Sequence, residues 1–410
     1  MRYIVVRNEQ INKRMRAFNE YYSLLREAIE KGNLKSSLDR GAFTHPRQIL
    51  NRDIINSLGL KRHRISLGYG QEVGEDIVRK KIVERENLIH GTDYKLENVA
   101  LVAGAWFGVE VVIEEIVQKF KNKKTKIAVI GPTHYQLFQR PIEVLGLEIV
   151  GFDFVNFKGS TPKTKEEIDQ ILKCKPDVVF VTNPNNPIGE YFPSDLLKYL
   201  VSTCKIRNIF VIIDEMQNFL PAEGKKLNYA KWIQSKNVVR IDSFSKHYAL
   251  AEYRVGWVIA DKSIIGSRYT GITQHVRGLM GNAPRAANDA IVKLLDIEIN
   301  EIKNKVENPL RLKIKGLYKK ENYIIKLLAK NPKIEIIHRD ACFNLTIRIK
   351  DFPNDIEMSR QLMDRGTLIM PCTGYGYRTE DVVMRITFAE RWSRIKHSMT
   401  ILTDILNKKK

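Results

Sequence analysis

Ser243, Ser245, Lys246 and Arg254 fall in one short stretch of this 410-residue chain, and their side chains suit one kind of ligand. Two hydroxyls and a guanidinium can hold a dianionic phosphate through charge-assisted hydrogen bonds. A lysine amine beside them can form an imine with an aldehyde. The four residues therefore fit a phosphorylated cofactor that carries a carbonyl group. They also fit a strand end with two capping serines and a solvated lysine, and the stretch alone does not separate the two.

The upstream stretches do. An apolar run from Val178 ends in Asn183-Pro184-Asn185-Asn186-Pro187-Ile188-Gly189, and a second, Phe210 to Ile213, ends in Asp214-Glu215. Asp214 lies 32 residues before Lys246 (246 − 214), and Tyr253-Arg254-Val255-Gly256-Trp257, read as the start of another strand, follows. In order and spacing these motifs resemble the fold-type I pyridoxal-phosphate enzymes, specifically the class I/II aminotransferase family. The resemblance runs from about Leu38 to Ala389, nearly the whole chain.

That resemblance implies pyridoxal 5'-phosphate as cofactor, joined to Lys246 as an aldimine, with the freed lysine then acting as base and acid at the substrate α-carbon. It implies that Asp214 keeps the pyridine nitrogen protonated, that Asn186 bonds the ring hydroxyl oxygen and borders the substrate, and that Ser243, Ser245 and Arg254 hold the phosphate. Gly104 and Ala105 lie at the turn between a buried strand and a helix from about Phe107 to Phe120, where free N–H groups can meet a phosphate. His134, two residues after Pro132, occupies the place of a ring stacked on the pyridine, with Tyr135 as the fallback; Trp106 fits simple packing. Arg385, in Met384-Arg385-Ile386-Thr387-Phe388-Ala389, corresponds to the arginine that grips the substrate α-carboxylate in a two-pronged pair. Gly41 corresponds to backbone offered to that carboxylate, though it also fits a plain loop. Tyr69 corresponds to a tyrosine that reaches the phosphate of the neighbouring subunit, which would make the protein a homodimer; a core tyrosine in a glycine-rich turn fits it as well.

The implied reaction moves an amino group between an L-amino acid and a 2-oxo acid, in amino-acid metabolism or biosynthesis. One position departs from the family. Gln217 stands where a tyrosine three residues after the aspartate usually donates to the ring oxygen. This leaves room for an amino-acid cyclase, an eliminating lyase or an oxidase on the same fold. A pyridoxal-phosphate-binding regulator is disfavoured, because only about forty residues precede the first motif, too few for a DNA-binding domain and linker.

Strand and helix patterns alternate from Val99 to Val238, which predicts an α/β protein with a mostly parallel, seven-stranded-type sheet sandwiched by helices. Ligands on such sheets bind beyond the carboxyl ends of the strands, where the motifs fall. From about Ile299 the texture changes to a long charged helical stretch, interrupted at Asn308-Pro309, and then short strands at Ile334-Ile337, Phe343-Ile349 and Val382-Phe388. We expect residues 61–298 to form the large cofactor-binding domain. Residues 299–410 form a smaller α+β domain, joined by the N-terminal segment 1–60 and its amphipathic helix Gln10 to Lys31.

Composition agrees with a globular chain: 43% of residues are hydrophobic. The formal net charge is +21, but the basic residues are spread out and fit a solvated surface better than a nucleic-acid interface or a lure for acidic substrates. No signal peptide or membrane span is expected, since the apolar region Val99 to Val117 contains Glu110, Glu114 and Glu115. Four lone cysteines without metal-ligand spacing point to no metal and to a reducing, cytoplasmic setting.

Overall fold

Val- and Ile-rich runs become strands, and the amphipathic stretches between them carry the chain back over the sheet. The computed structural model describes residues 5–32, 34–39, 52–57, 70–120, 124–152, 161–222, 225–306 and 308–408; Gly41 and Tyr69 lie outside these. Among the described residues the large sheet comprises β1 (Val5–Arg7), β2 (Val99–Val102), β3 (Lys126–Ile130), β4 (Glu148–Phe152), β5 (Val178–Thr182), β6 (Phe210–Asp214), β7 (Val238–Ser243) and β8 (Gly256–Ile259). Their order across the sheet is β1-β4-β3-β5-β6-β7-β8-β2. The centre, β4-β3-β5-β6-β7, is parallel. The pairings of β1 with β4, β7 with β8 and β8 with β2 are antiparallel. The seven-stranded-type sheet is thus present, with Val5–Arg7 added at one edge.

Both faces of this sheet are covered, and side chains alternate between two cores with the period-two geometry of a strand. Val178 and Phe180 of β5 point into one apolar cluster, Val179 and Val181 into the other. The helix Gly104–Lys119 lies close against the first face. A Cβ on Gly108 would stand 3.1 Å from methyl groups of both Ile241 and Val102, so glycine sets that approach.

A second, antiparallel sheet contains β9 (Ile334–Ile337), β10 (Asn344–Ile349), β11 (Met370–Pro371) and β12 (Val383–Thr387), in the order β11-β12-β10-β9. The charged helical stretch resolves into Asn288–Asn304 and Pro309–Leu328, separated where Asn308-Pro309 interrupts the pattern. The N-terminal helix Asn8–Glu30 crosses to this half of the molecule. Its Phe18 and Tyr21 are buried with Ile356, Tyr375 and Val383. The segment after it is tied down by backbone bonds, Leu38 N–H to Leu368 O at 2.8 Å and Thr387 N–H to Leu38 O at 3.0 Å. This lashing brings Asp39 beside β12. Among the described residues no helix is long and apolar enough to cross a membrane.

Candidate active site

Register in the parallel sheet builds the first part of the site. Asp214, the last residue of β6, lies opposite Thr182 of β5 and Ile241 of β7. Its carboxylate is buried and accepts the Met216 N–H at 3.0 Å. Burial pushes its pKa up to about 7, with neighbouring Glu215 adding to the rise while the Met216 N–H and Lys246 act against it. Lys246 follows β7 on the short helix Phe244–His247 and retains part of its surface. Burial, helped by the Arg385 and Arg254 charges, brings its amine down to about 8, against the opposing pull of Asp214. The acid and the amine sit within electrostatic reach at adjacent strand ends, each moved toward neutrality.

A second group gathers at β7, β8 and β2. Gly256 pairs with Ser243 on one side and Val102 on the other. A Cβ on Gly256 would come within 2.9 Å of the Ala105 nitrogen, so the backbones of Ser243, Gly104 and Ala105 converge there. Gly104 has φ of +80°, a left-handed conformation that favours glycine. Arg254 spans the same corner: its Nη1 donates to Ala251 O at 2.8 Å and its Nη2 to Ala103 O at 3.3 Å. Ser243 and Ser245 are buried beneath, and the Ser245 N–H donates to Ser243 Oγ at 3.4 Å. Two local expectations shift. Arg254 is not the start of a strand but a left-handed turn residue (φ +54°) before β8. The helix begins at Gly104 rather than Phe107, which puts both small residues in its first turn.

The third group comes from the C-terminal sheet. Arg385 of β12 is buried, and three of its five N–H groups are engaged: Nη1 with Asn186 Oδ1 at 3.0 Å and Tyr375 Oη at 2.7 Å, Nη2 with Asp39 O at 2.8 Å. Its Nε has no hydrogen-bond partner in the protein. His134 stands edge-on to Tyr375, ring centroids 4.9 Å apart, with Trp106 at 5.7 Å and Phe18 at 6.1 Å. Burial, then the positive charges of Arg385 and Lys246, hold its pKa down at about 3, so the imidazole is neutral. The side chain of Tyr135 lies outside the described residues.

The structure thus brings Lys246, Asp214, Ser243, Ser245, Arg254, Gly104, Ala105, His134, Asn186 and Arg385 to one edge, and Gln217 is buried three residues beyond Asp214. Sequence patterns did not place Tyr375, Asp39, Phe18 or Tyr22 at the site; Phe18 and Tyr22 were legible only as part of the apolar stripe of the N-terminal helix. The only local trace of that placement is Gly374, whose Cβ would sit 2.5 Å from the Phe18 ring.

These residues fit pyridoxal phosphate. Gln217 Oε1, His134 Nδ1 and Arg385 Nε are buried polar atoms with no hydrogen-bond partner in the protein, as expected of groups that bond a ligand. Below Asp214, on the far face of the sheet, Arg240 grips Glu215 with two bonds of 2.8 Å and meets Glu86 at 2.7 Å. That buried cluster ties the ends of β6 and β7 to the helix Asp76–His90.

Comparison with known proteins agrees with this geometry. A family model described as aminotransferase class I and II matches residues 51–395. A (5-formylfuran-3-yl)methyl phosphate transaminase of Methanocaldococcus jannaschii is 23% identical over 372 residues, 89% of each chain. An aspartate aminotransferase of Pyrococcus horikoshii is 22% identical over 345 residues, 83% of this chain and 84% of that one. The crystal structure of aspartate aminotransferase from Thermotoga maritima superposes with a TM-score of 0.79 at 18% identity, covering 96% of this chain and 99% of that one. With a lysine and an aspartate at adjacent strand ends and a family match over most of its length, this chain belongs to the class I and II aminotransferases, enzymes that depend on pyridoxal phosphate.

Proposed function

We propose that this enzyme transfers an amino group between an L-amino acid and a 2-oxo acid, with Lys246 and Asp214 as its catalytic residues. The observation that carries this is a half-buried amine and a buried acid at adjacent strand ends, both shifted toward neutrality, beside an arginine with donor capacity to spare. Ser243, Ser245, Arg254, Gly104 and Ala105 would hold the phosphate, Asp214 the ring nitrogen, and Asn186 and Gln217 the ring oxygen, with His134 against the ring face. Arg385 would take the substrate α-carboxylate on its uncommitted N–H groups.

Bound pyridoxal phosphate supplies a conjugated cationic ring that stabilises negative charge at the substrate α-carbon. The chain's own part is proton handling and alignment. An amine near pKa 8 is neutral often enough at physiological pH to take the α-proton, and acidic enough to give it back elsewhere. Asp214 ionises once a cation touches it, because an adjacent positive charge lowers a carboxyl pKa. The buried setting makes that pairing stronger than it would be in water.

We further propose a homodimer with Tyr69 reaching the neighbouring site, a large domain of residues 61–298 beside a small one of 299–410 and 1–60, and a cytoplasmic location. The test is a spectral one. Cofactor-loaded protein mixed with its amino acid, without a 2-oxo acid, should pass to the amine form of the cofactor and stay there until a 2-oxo acid is added. A chromophore that returns unaided points instead to a lyase or cyclase. Lys246→Ala should abolish borohydride trapping of the cofactor; trapping unchanged from wild type would refute the assignment.

A further inference from the structure

We infer that the amino-acid side chain selected at this site ends in a positive charge, and that Asp39 is the residue that selects it. The inference rests on the transamination reading, in which Arg385 holds the α-carboxylate. The substrate side chain then projects into the space that borders the guanidinium, and the described residues there fall into two sets. Phe18, Tyr21 and Tyr375 are fully buried and form the backing. Tyr22, Asp39 and His134 keep part of their surface, and Trp106 is 43% exposed. The second set is what a ligand meets.

Asp39 is placed by its own backbone, whose carbonyl accepts from Arg385 Nη2 at 2.8 Å. Its carboxylate accepts from Tyr21 Oη at 3.2 Å and from Ser37 Oγ. A carboxylate offers about four lone-pair sites, so acceptor capacity remains. Its charge is felt by Tyr22, Tyr375 and Arg385. The other exposed members are aromatic faces and a neutral imidazole, which also favour a cation. A dicarboxylic substrate would need a second cation in this space. Arg14 is bonded to Gly376 O at 2.6 Å, Arg254 to Ala103 O and Ala251 O, and Arg385 is assigned to the α-carboxylate. Among the described residues, a second substrate carboxylate would face Asp39 instead, at a like-charge penalty.

The experiment uses the cofactor-loaded enzyme and the concentration of amino acid that half-converts its chromophore. Lysine, ornithine and arginine are set against norleucine and glutamine, and against aspartate and glutamate. The cationic group should half-convert at concentrations lower by about tenfold or more, the scale of one charge-assisted pair. Asp39→Asn keeps the capacity to bond Tyr21 and Ser37, and should bring lysine and norleucine together while leaving the visible chromophore intact. Raising salt on the wild-type enzyme should weaken lysine and not norleucine, an arm that needs no variant. Preference for dicarboxylic or neutral amino acids, an Asp39→Asn variant with the wild-type ratio, or a salt-insensitive lysine response would each overturn the assignment of Asp39. Conversion by no amino acid at all would remove the transamination reading along with it.

Discussion

Gly104→Ala separates the fold of the phosphate corner from its chemistry. The new Cβ would lie 2.4 Å from Arg254 Nη2 and 2.9 Å from Cζ. The obstructing atoms are the end of an exposed, flexible side chain, so the guanidinium moves and the backbone stays. Alanine in a left-handed conformation costs about 1–2 kcal/mol. Reduced freedom of the unfolded chain returns about 0.4–1 kcal/mol. Urea unfolding of the cofactor-free variant should therefore show a loss of roughly 1.5 kcal/mol or less. The cofactor should respond far more. A hydrogen bond to a charged group contributes about 1.5–3 kcal/mol, so losing Arg254 from the phosphate should weaken affinity about ten- to 150-fold. Titration of the cofactor-free protein with pyridoxal phosphate, followed by absorbance, measures this. Gly108→Ala is the control: its Cβ would press on Ile241 and Val102 at 3.1 Å, so it should cost stability with little change in affinity. A Gly104→Ala affinity within about twofold of wild type would refute the idea that Arg254 holds the phosphate from this corner.

Three further outcomes are expected. Gln217→Tyr should lower the pH midpoint of the visible absorbance titration of the bound cofactor, because a phenol donates to the ring oxygen better than an amide; identical midpoints would remove Gln217 from contact with the cofactor. Arg240→Met leaves Glu215 and Glu86 buried without their shared cation. It should cost about 3–5 kcal/mol in urea unfolding, and a loss under about 1 kcal/mol would mean the cluster is not built as described. His90 is neutral in the fold, its pKa held down at about 3 first by burial and then by Arg240. The unfolded chain takes up that proton below about 6.5, so the contribution of His90 is complete above that pH and falls away toward 3. Between pH 6.5 and 5 the wild type should lose about 2 kcal/mol more than His90→Gln, and parallel stability curves would contradict this.

What was legible in the chain was local. Asp214, Ser243 and Lys246 each close or follow a strand, and the parallel register converts that shared position into shared space, while Arg254 precedes the antiparallel β8 and arrives at the same edge. Arg385 was legible only through its motif, and its partners Asp39 and Tyr375 carried no such mark. Asp39 and Arg385 meet across 346 positions, and Tyr375 lies between a short strand and a glycine. No periodicity announces such encounters. The Arg240 cluster was hidden for a different reason. Its side chain and that of Asp242 leave β7 on the opposite face from Ile241 and Ser243, so a buried ion cluster and an apolar strand share one run of residues. Glu215 was visible in the sequence only as the neighbour of Asp214, whereas the fold makes it the partner that fixes the strand end.

The helix Asn8–Glu30 is translated before the partners of its aromatic side chains, since Phe18 and Tyr21 find apolar neighbours in residues from Ile356 to Val383. At about 5–20 residues per second, the wait between the two is on the order of 20–70 s. Through that interval the aromatic face of the helix has to be shielded by something other than its final surroundings. The later of these two stretches therefore completes the wall contributed by the earlier one, and their long separation along the chain governs when the substrate side of the enzyme becomes competent.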